Sequence, residues 1–393
     1  MRPLECKIQS SGWDSPQQFK VAGLADFASG HYHLERMLLD LRSHDAALAS
    51  DNFRSLPWAG FLVEHPKDAP PGRPWLSLDV VGTSVGQGDV LEIQPRISKA
   101  ALRYRRGGNG NVLFATERCN SYCVMCSQPP RQVEDDWRVA QLCSLTELID
   151  KDEISLAISG GEPTLLGTGL NRVIETCAKT LPDTAIHVLS NGRRFADADY
   201  ARTFIDLHPS LSWGVPLYGS HYGLHDYVVQ SAGAFAETMR GLYALNAARQ
   251  RIEIRVVLLR PVVEELKRLS EYLYRNLPFV EHIALMGLEP TGFARAHHKD
   301  VWMDPKDMAP VLLDSVEYLA RRGLNVSLYN LPLCALPQSL WPYAKRSISD
   351  WKQRYLPACQ TCSVRNKCAG VFAWVTAEWT SRAISPIKEG MEA

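Results

Sequence analysis

Short apolar runs alternate with amphipathic stretches between residues 111 and 290. The apolar runs hold four to eight residues and are rich in β-branched side chains, which is typical of buried strands. The stretches between them have apolar residues at helical spacing, and this alternation indicates βα units that build a parallel sheet. We predict strands at 112–115, 154–159, 186–189, 211–217, 252–259, 282–286 and 324–328, and helices at 145–151, 169–181, 198–207, 234–249 and 263–275.

Two α/β arrangements fit six such units: a partial (βα)6 barrel and a doubly wound open sheet. A closed eight-unit barrel needs about 250 residues, and the repeat fades before that length. In either arrangement, ligands bind at the carboxyl ends of the strands. We therefore expect the chemistry in the residues that directly follow each strand.

The first 107 residues carry weaker signals. Strands are predicted at 76–81 and 89–93, after a proline-rich loop at 65–74. We expect a small β-containing module that caps the core or holds a substrate.

Composition favours an intracellular metalloprotein. The chain has 43 basic and 43 acidic residues, so its charge gives no argument for a nucleic-acid or membrane partner. No stretch approaches the roughly 18 apolar residues of a membrane span, and the N-terminus lacks the apolar segment of a signal peptide. The ten cysteines cluster at short spacings, which predicts metal ligands in the reducing cytoplasm and not a disulfide framework.

A C-x3-C-x2-C motif follows the first predicted strand, with Cys119, Cys123 and Cys126. Three thiolates at this spacing can bind three irons of a [4Fe–4S] cube and leave the fourth iron open. Iron–sulfur cubes and structural zinc sites normally have four ligands, so the motif predicts a reactive metal site. The alternatives are a zinc site completed by Cys143 and a set of buried cysteines.

A Gly-Gly-Glu-Pro turn follows the second predicted strand, with Gly160, Gly161, Glu162 and Pro163. Two glycines let the backbone approach a ligand closely. The Glu162 carboxylate and the neighbouring carbonyls then offer acceptors for an ammonium group. Alone, the turn fits an ordinary strand-to-helix connection equally well; after the cysteine motif, it indicates a cofactor site.

The cysteine motif followed by Gly-Gly-Glu-Pro resembles the radical S-adenosylmethionine (SAM) superfamily over residues 110–290. The resemblance implies a partial (βα)6 TIM-like barrel and a [4Fe–4S] cluster whose open iron chelates the amino and carboxylate groups of SAM. It further implies that the reduced cluster cleaves SAM to methionine and a 5′-deoxyadenosyl radical, which abstracts hydrogen from a substrate. The superfamily usually has an aromatic residue near the adenine, just before the third cysteine. Here Met125 takes that position, and its sulfur can pack on a ring.

By the same resemblance, residues after later strands contact SAM. Ser190 and Asn191 are expected near the ribose or the methionine, although they also fit a plain Asx turn. Arg255, a charged residue inside an apolar strand, is expected to bind the SAM carboxylate or to form a salt bridge with Glu162 or Glu253.

Further residues are singled out by their positions after strands or in loops. By resemblance, Gly287 marks the adenine-binding turn. Tyr218 and His221 follow the fourth strand and are expected as packed or surface residues that could also contact SAM or substrate. His297 and His298 have no metal-ligand partner at a recognisable spacing and are predicted to be solvated.

A second cysteine group lies near the C-terminus, with Cys334, Cys359, Cys362 and Cys368. Four thiolates fit either a second, fully ligated [4Fe–4S] cluster or one zinc ion. The spacing resembles the auxiliary-cluster extensions of radical SAM peptide maturases, which favours the iron–sulfur cluster. Cys6, Cys143 and Cys177 are predicted to be buried small residues.

Two segments, 116–130 and 331–368, resemble the C-type radical SAM maturase of the His-Xaa-Ser system. The resemblance implies a peptide or small protein substrate with His-Xaa-Ser repeats, a flavodoxin- or ferredoxin-type electron donor and a second radical SAM protein as partner. We predict an N-terminal module at 1–107, a radical SAM core at 108–295 and a cysteine-rich auxiliary-cluster extension at 296–393. A small-molecule substrate and a non-catalytic iron–sulfur or zinc protein are the alternatives.

Overall fold

The computed structural model describes residues 5–23, 26, 33–42, 50–79 and 85–388. Within these residues, the N-terminal strands are β1 (Glu5–Ser11), β2 (Gln17–Ala22), β3 (Met37–Asp40), β4 (Gly60–Val63), β5 (Trp75–Asp79), β6 (Val90–Gln94) and β7 (Lys99–Tyr104), and a short helix, α1 (Asp51–Arg54), precedes β4. The strands form a closed barrel in the order β1–β5–β4–β3–β2–β6–β7. β1 closes the barrel by pairing with both β5 and β7.

This barrel is larger than the β-containing module that the sequence predicts. β5 and β6 match the strands predicted at 76–81 and 89–93, except that residues 80 and 81 lie outside the described residues. The sequence pattern misses the other strands of the barrel. Two of them, β3 and β4, have only four residues each and are buried at every position, so they show no alternation. Such short runs gain their stability from pairing within the closed barrel.

A sheet of parallel strands follows the barrel in the chain. Its strands are β8 (Val112–Phe114), β9 (Ser155–Ser159), β10 (Ala185–Leu189), β11 (Leu211–Pro216), β12 (Arg251–Val257), β13 (His282–Met286) and β14 (Val326–Tyr329). They lie side by side in chain order, and β8 and β14 are the two edges. A doubly wound sheet reverses its strand order at a switch point, so this order excludes that alternative. The seven strands predicted for this region are confirmed to within two residues at each end.

Helices connect these strands and continue beyond them. They are α2 (Arg138–Thr146), α3 (Thr168–Thr180), α4 (Ala198–Arg202), α5 (Tyr222–Val229), α6 (Ala234–Ala247), α7 (Arg260–Glu264), α8 (Leu266–Asn276), α9 (Phe293–Ala296), α10 (His298–Val301) and α11 (Pro305–Ala320). Among the described residues, none of the helices combines the length and the apolar character needed to cross a membrane.

Of the predicted helices, one is shorter in the structure and another is interrupted. The helix predicted at 198–207 stops at Arg202, and Asp206 has a φ of 57°, outside the helical region. The helix predicted at 263–275 is divided into α7 and α8, with a break at Glu265. Local deviations of this kind depend on tertiary packing, which the apolar spacing does not encode.

The two faces of the parallel sheet differ in polarity. In β10, Ile186 and Val188 are fully buried, whereas the intervening positions are half-buried. The half-buried residue between them in β10 is His187. Half-buried positions in β12 and β13 hold Glu253 and His282. The main apolar core therefore lies on one face, and the other face presents polar side chains.

The turn after α2 carries a contact between the barrel and the sheet. A helix is predicted at 145–151, but α2 ends at Thr146 and the chain turns so that Asp150 faces the barrel. The Asp150 carboxylate accepts hydrogen bonds from Lys20 of β2 and from Arg106. Burial opposes the ionisation of Asp150, but the hydrogen bonds from these two cations outweigh it and lower its pKa.

We expect Asp150→Asn to lower the free energy of unfolding by about 1–3 kcal/mol at about pH 7, because Lys20 and Arg106 each lose one charged partner and, among the described residues, keep only Asp26. Folding lowers the pKa of Asp150, so its contribution is complete above the ordinary aspartate pKa and is lost as the pH falls through the folded value. Urea denaturation from about pH 7 to about pH 3 measures both effects. Asp152→Asn, at an exposed position, is the control; equal stability of the two variants at about pH 7 would contradict the prediction.

Candidate functional site

Residues 119–126 form the cysteine loop, which follows β8. The chain just before it is fixed by the buried carboxylate of Asp135. This carboxylate accepts hydrogen bonds from the Thr116 hydroxyl (2.9 Å) and the Glu117 amide (2.7 Å), and it lies 3.0 Å from Nε of Arg118. The first cysteine therefore leaves β8 from a rigid, charge-compensated position.

The Gly-Gly-Glu-Pro turn after β9 touches the start of the cysteine loop through its backbone. The Gly161 amide donates to the Thr116 carbonyl (2.7 Å), and the Glu162 amide donates to the Arg118 carbonyl (2.7 Å). A Cβ atom at Gly161 would lie 2.1 Å from the Arg118 oxygen, and one at Gly160 would lie 2.5 Å from the Thr116 oxygen. Neither position has room for a side chain, so this contact requires both glycines.

The Glu162 carboxylate is buried and binds to the neighbouring turns. It accepts hydrogen bonds from the Thr164 amide (3.0 Å) and hydroxyl (2.6 Å), the Ser190 hydroxyl (2.7 Å) and the Asn191 amide (2.6 Å). Burial raises the pKa of Glu162, and these hydrogen bonds oppose the rise. Three of these hydrogen bonds reach Oε1 and one reaches Oε2, so Oε2 and the backbone carbonyls of the turn remain as acceptors for the predicted ammonium group. Pro163, also buried, begins a 3-10 helix.

The turn after β10 holds the middle of the cysteine loop. Asn191 Nδ2 donates to Asn120 Oδ1 (2.6 Å). Arg193 donates from Nη1 to the Asn120 carbonyl (2.5 Å) and the Ser121 hydroxyl (3.1 Å), and from Nε to Glu237 of α6 (2.6 Å). The sequence analysis missed Arg193; its place two residues after Asn191 was the available signal.

The end of the cysteine loop is held from the opposite side. Two loop amides donate to carbonyls at the C-terminal end of α5 (2.9 and 3.0 Å). The Phe293 amide donates to the Cys126 carbonyl (2.9 Å). Gly292 lies so close that a Cβ atom there would be 2.1 Å from the same carbonyl oxygen. The cysteine loop thus contacts residues that follow β9, β10, β11 and β13.

His297 and His298 are half-buried and have specific partners, whereas the prediction was that they are solvated. His297 donates from Nδ1 to the Val124 carbonyl of the cysteine loop (3.0 Å). The His298 ring stacks on Trp302, with ring centroids 5.3 Å apart, and meets Trp379 edge-on at 4.3 Å. The pair therefore joins the cysteine loop to the C-terminal region. Val124 and Trp379 are distant in the chain, so sequence spacing gave no signal for these two partners.

The three thiols of the cysteine loop lie close to one another. Burial raises the pKa of Cys119 to about 11, with a further contribution from the Glu162 carboxylate. Burial also raises the pKa of Cys123 to about 12, with contributions from Cys126 and Cys119, and it raises the pKa of Cys126. The free thiols are protonated at neutral pH, so a metal must displace their protons to bind. Three adjacent thiols form a donor set that fits a [4Fe–4S] cluster with one open iron.

The other predicted residues have mixed surroundings. Met125 is buried in the main core beside the thiols. A Cβ atom at Gly287 would lie 2.7 Å from the Asn330 oxygen, so packing against the turn after β14 requires this glycine. Tyr218 is buried, whereas His221 is exposed just before α5.

Arg255 pairs with Glu253 and not with Glu162. Its Nη1 donates to Glu253 Oε1 (2.5 Å). The same carboxylate accepts a hydrogen bond from His282 Nδ1 (2.7 Å) and lies 3.5 Å from His187 Nε2. Burial opposes the ionisation of Glu253, but hydrogen bonds from both histidines and the charge of Arg255 lower its pKa strongly. The sequence analysis missed both histidines, although their alternation with buried residues in β10 and β13 was a usable signal.

The C-terminal cysteines lie close together beyond β14, near the short strands β15 (Gln353–Arg354) and β16 (Val371–Phe372). Two backbone amides donate to Cys368 Sγ, each at 3.4 Å. Burial raises the pKa of Cys334 and of Cys368. The charge of Cys359 raises both pKa values further, and the charge of Cys362 raises the pKa of Cys368.

The remaining cysteines lie outside both groups. Cys177 is buried, as predicted, but Cys6 and Cys143 are only half-buried, which corrects the prediction for these two. The Cys143 thiol contacts the Arg172 carbonyl of α3 at 3.9 Å, which gives no support to a zinc site completed by Cys143. In the part of the chain that the structure describes, no three His, Cys, Asp or Glu side chains surround a single-ion position.

No family model matches the chain, and no curated protein matches it. Solved structures resemble it at low identity. SuiB from Streptococcus suis bound to S-adenosylmethionine has a TM-score of 0.45 and 16% identity over 58% of this chain and 52% of that chain. anSMEcpe with bound AdoMet has a TM-score of 0.45 and 16% identity over 55% and 62%. A radical SAM methyltransferase from Sphaerobacter thermophilus has a TM-score of 0.39 and 15% identity over 62% and 73%. The match thus spans about half the length of SuiB.

We expect Gly161→Ala to reduce the iron bound after anaerobic reconstitution at least about threefold, because the added Cβ atom displaces the backbone that carries Cys119. Iron and sulfide analysis of the reconstituted protein measures the effect. Gly86→Ala is the matched control, since a Cβ atom there meets nothing within 4 Å. Wild-type iron content in Gly161→Ala would show that the contact tolerates a side chain.

Proposed function

We propose that this protein is a radical SAM enzyme that acts on a peptide or protein substrate. One observation carries the proposal: backbone hydrogen bonds hold the start of the three-cysteine loop against the Gly-Gly-Glu-Pro turn. Both elements directly follow parallel strands, where ligands bind in α/β proteins. The candidate iron ligands and the candidate SAM-binding backbone therefore belong to one site.

The protein would hold the cofactors with a small set of groups. Cys119, Cys123 and Cys126 would bind three irons and leave the fourth to the amino and carboxylate groups of SAM. When bound and reduced, the cluster would supply the electron for the reductive cleavage of SAM. The Glu162 carboxylate, through Oε2, and the neighbouring backbone carbonyls of Gly160 and Gly161 would accept hydrogen bonds from the SAM ammonium group.

Further residues would orient SAM. Ser190 and Asn191 would lie near its ribose or methionine, and Met125 and the Gly287 turn near its adenine. Arg255 would bind its carboxylate. Among the described residues, Arg255 donates one hydrogen bond, to Glu253. The remaining guanidinium N–H groups are thus available for a second carboxylate, in an orientation fixed by the ion pair.

The C-terminal cysteines would bind a second [4Fe–4S] cluster. Cys334, Cys359 and Cys368 lie close together, and Cys368 accepts two amide hydrogen bonds, which stabilise a charged sulfur. Hydrogen bonds to sulfur are among the factors that set cluster potentials. Four thiolates leave no open iron, so this cluster would transfer electrons and not cleave SAM.

The substrate would be a peptide with His-Xaa-Ser repeats, as the resemblance of residues 116–130 and 331–368 implies. A flavodoxin- or ferredoxin-type donor would supply the electron, a second radical SAM protein would be a partner, and the cytoplasm would provide reducing conditions. Incubation of the reconstituted protein with SAM, dithionite and a synthetic repeat peptide tests this assignment through the peptide mass. SAM cleavage with an unchanged peptide would favour a small-molecule substrate instead.

We expect reconstituted Cys123→Ala to form at least about a hundredfold less 5′-deoxyadenosine than the wild type, because two thiolates cannot hold the cube. Liquid chromatography of reactions with SAM and dithionite measures the product. Cys143→Ala, which removes a half-buried thiol outside the site, should retain wild-type activity. Full product formation by Cys123→Ala would overturn the enzyme proposal, and a wild-type cluster without product would favour a non-catalytic iron–sulfur protein.

For the C-terminal cysteines, we expect a variant with alanine at Cys119, Cys123 and Cys126 to retain about four irons and four sulfides after reconstitution. Its absorbance should not change with SAM, because every iron is ligated by protein. Metal analysis and optical spectroscopy provide the measurement. One zinc and no iron in this variant, purified without reconstitution, would identify a structural zinc site.

A further inference from the structure

Arg193 and Glu237 form an ion pair beside the cysteine loop that the proposed function does not use. Arg193 follows a tight turn after β10, in which Gly192 has a φ of 76° and a Cβ atom would lie 2.8 Å from Val215. Only glycine fits this left-handed, crowded position without strain. The turn directs Arg193 across the strand ends toward the cysteine loop.

The guanidinium is held on both sides. Nη1 donates to the Asn120 carbonyl (2.5 Å) and the Ser121 hydroxyl (3.1 Å), two groups that lie between Cys119 and Cys123 in the chain. Nε donates to Glu237 (2.6 Å). The Arg193 side chain is 12% exposed, whereas that of Glu237 is 37% exposed. Hydrogen bonds from both Nε and Nη1 hold the planar guanidinium in one orientation. Because the side chain is mostly buried, salt screens its positive charge only weakly.

The charge of Arg193 lies beside the proposed iron ligands. Its guanidinium is mostly buried and donates to Asn120 and Ser121, which lie between Cys119 and Cys123, so a fixed positive charge adjoins the segment that carries both sulfurs. A cluster at this position becomes more negative when it is reduced. Reduction adds one electron from an external donor, and no bond forms or breaks. A nearby fixed cation therefore favours the reduced form, and a nearby anion opposes it.

We propose that Arg193 is a positioning residue of the cysteine loop whose positive charge, partly offset by Glu237, favours the reduced form of the cluster. This inference rests on the proposed function. The two members of the pair then have opposite effects on the cluster's reduction potential. A merely structural pair would act in one direction, because either substitution would loosen the same loop.

An EPR-monitored redox titration of reconstituted protein without SAM tests the proposal. Arg193→Gln should shift the midpoint potential downward, and at a fixed potential it should lower the ratio of reduced to oxidised cluster by about threefold to thirtyfold. Glu237→Gln should shift the midpoint upward. Arg193→Lys, which keeps the charge, should stay near the wild type. Arg202→Gln, which breaks an exposed ion pair with Asp199, is the control and should not move the midpoint.

Shifts of the same sign in Arg193→Gln and Glu237→Gln, or no shift in either, would overturn the proposal. If Arg193→Gln fails to retain iron, the upward shift in Glu237→Gln and the unchanged Arg193→Lys still decide it. If the wild type forms a cluster and cleaves SAM, but neither Arg193→Gln nor Glu237→Gln changes the midpoint potential, this inference alone is refuted. A wild type without a cluster would refute the proposed function.

Discussion

The backbone contact between residues 116–118 and the Gly-Gly-Glu-Pro turn is the constraint on which the candidate site depends. Two amide-to-carbonyl hydrogen bonds join chain segments that follow adjacent parallel strands. The contact is so close that no side chain fits at either glycine. Because each hydrogen bond is made by backbone, the position of Cys119 relative to the turn does not depend on any rotamer.

Polar side chains extend this contact around the strand ends. The Glu162 carboxylate ties its own turn to the turn after β10, and Asn191 and Arg193 of that turn hold the cysteine loop. Buried polar groups are costly unless they are paired, so a network in which each partner is satisfied has one stable arrangement. The thiols are thereby held in place by groups from several successive strands before any metal binds.

A second polar network lies on the half-buried face of the same sheet. Glu253 binds Arg255 and His282 and lies near His187, so residues from β10, β12 and β13 share one carboxylate. Parallel strands in chain order bring alternate residues of neighbouring strands to the same face. The network fixes the guanidinium of Arg255 and leaves part of it unpaired among the described residues, which suits a group that receives an anionic ligand.

The sequence alone determined where the parallel strands lie along the chain and which cysteines are the candidate iron ligands. Strand identity follows from local apolar periodicity, and thiol chemistry follows from residue type and spacing, so both are visible without a fold. It did not determine the contacts of Glu162 with the turn after β10, of His297 with Val124, of His298 with Trp379 or of Arg193 with the cysteine loop. Each depends on residues tens to hundreds of positions away, which only the packed sheet brings together. In the N-terminal barrel, β3 and β4 were also hidden, because runs of four residues become recognisable as strands only through the neighbours with which they pair.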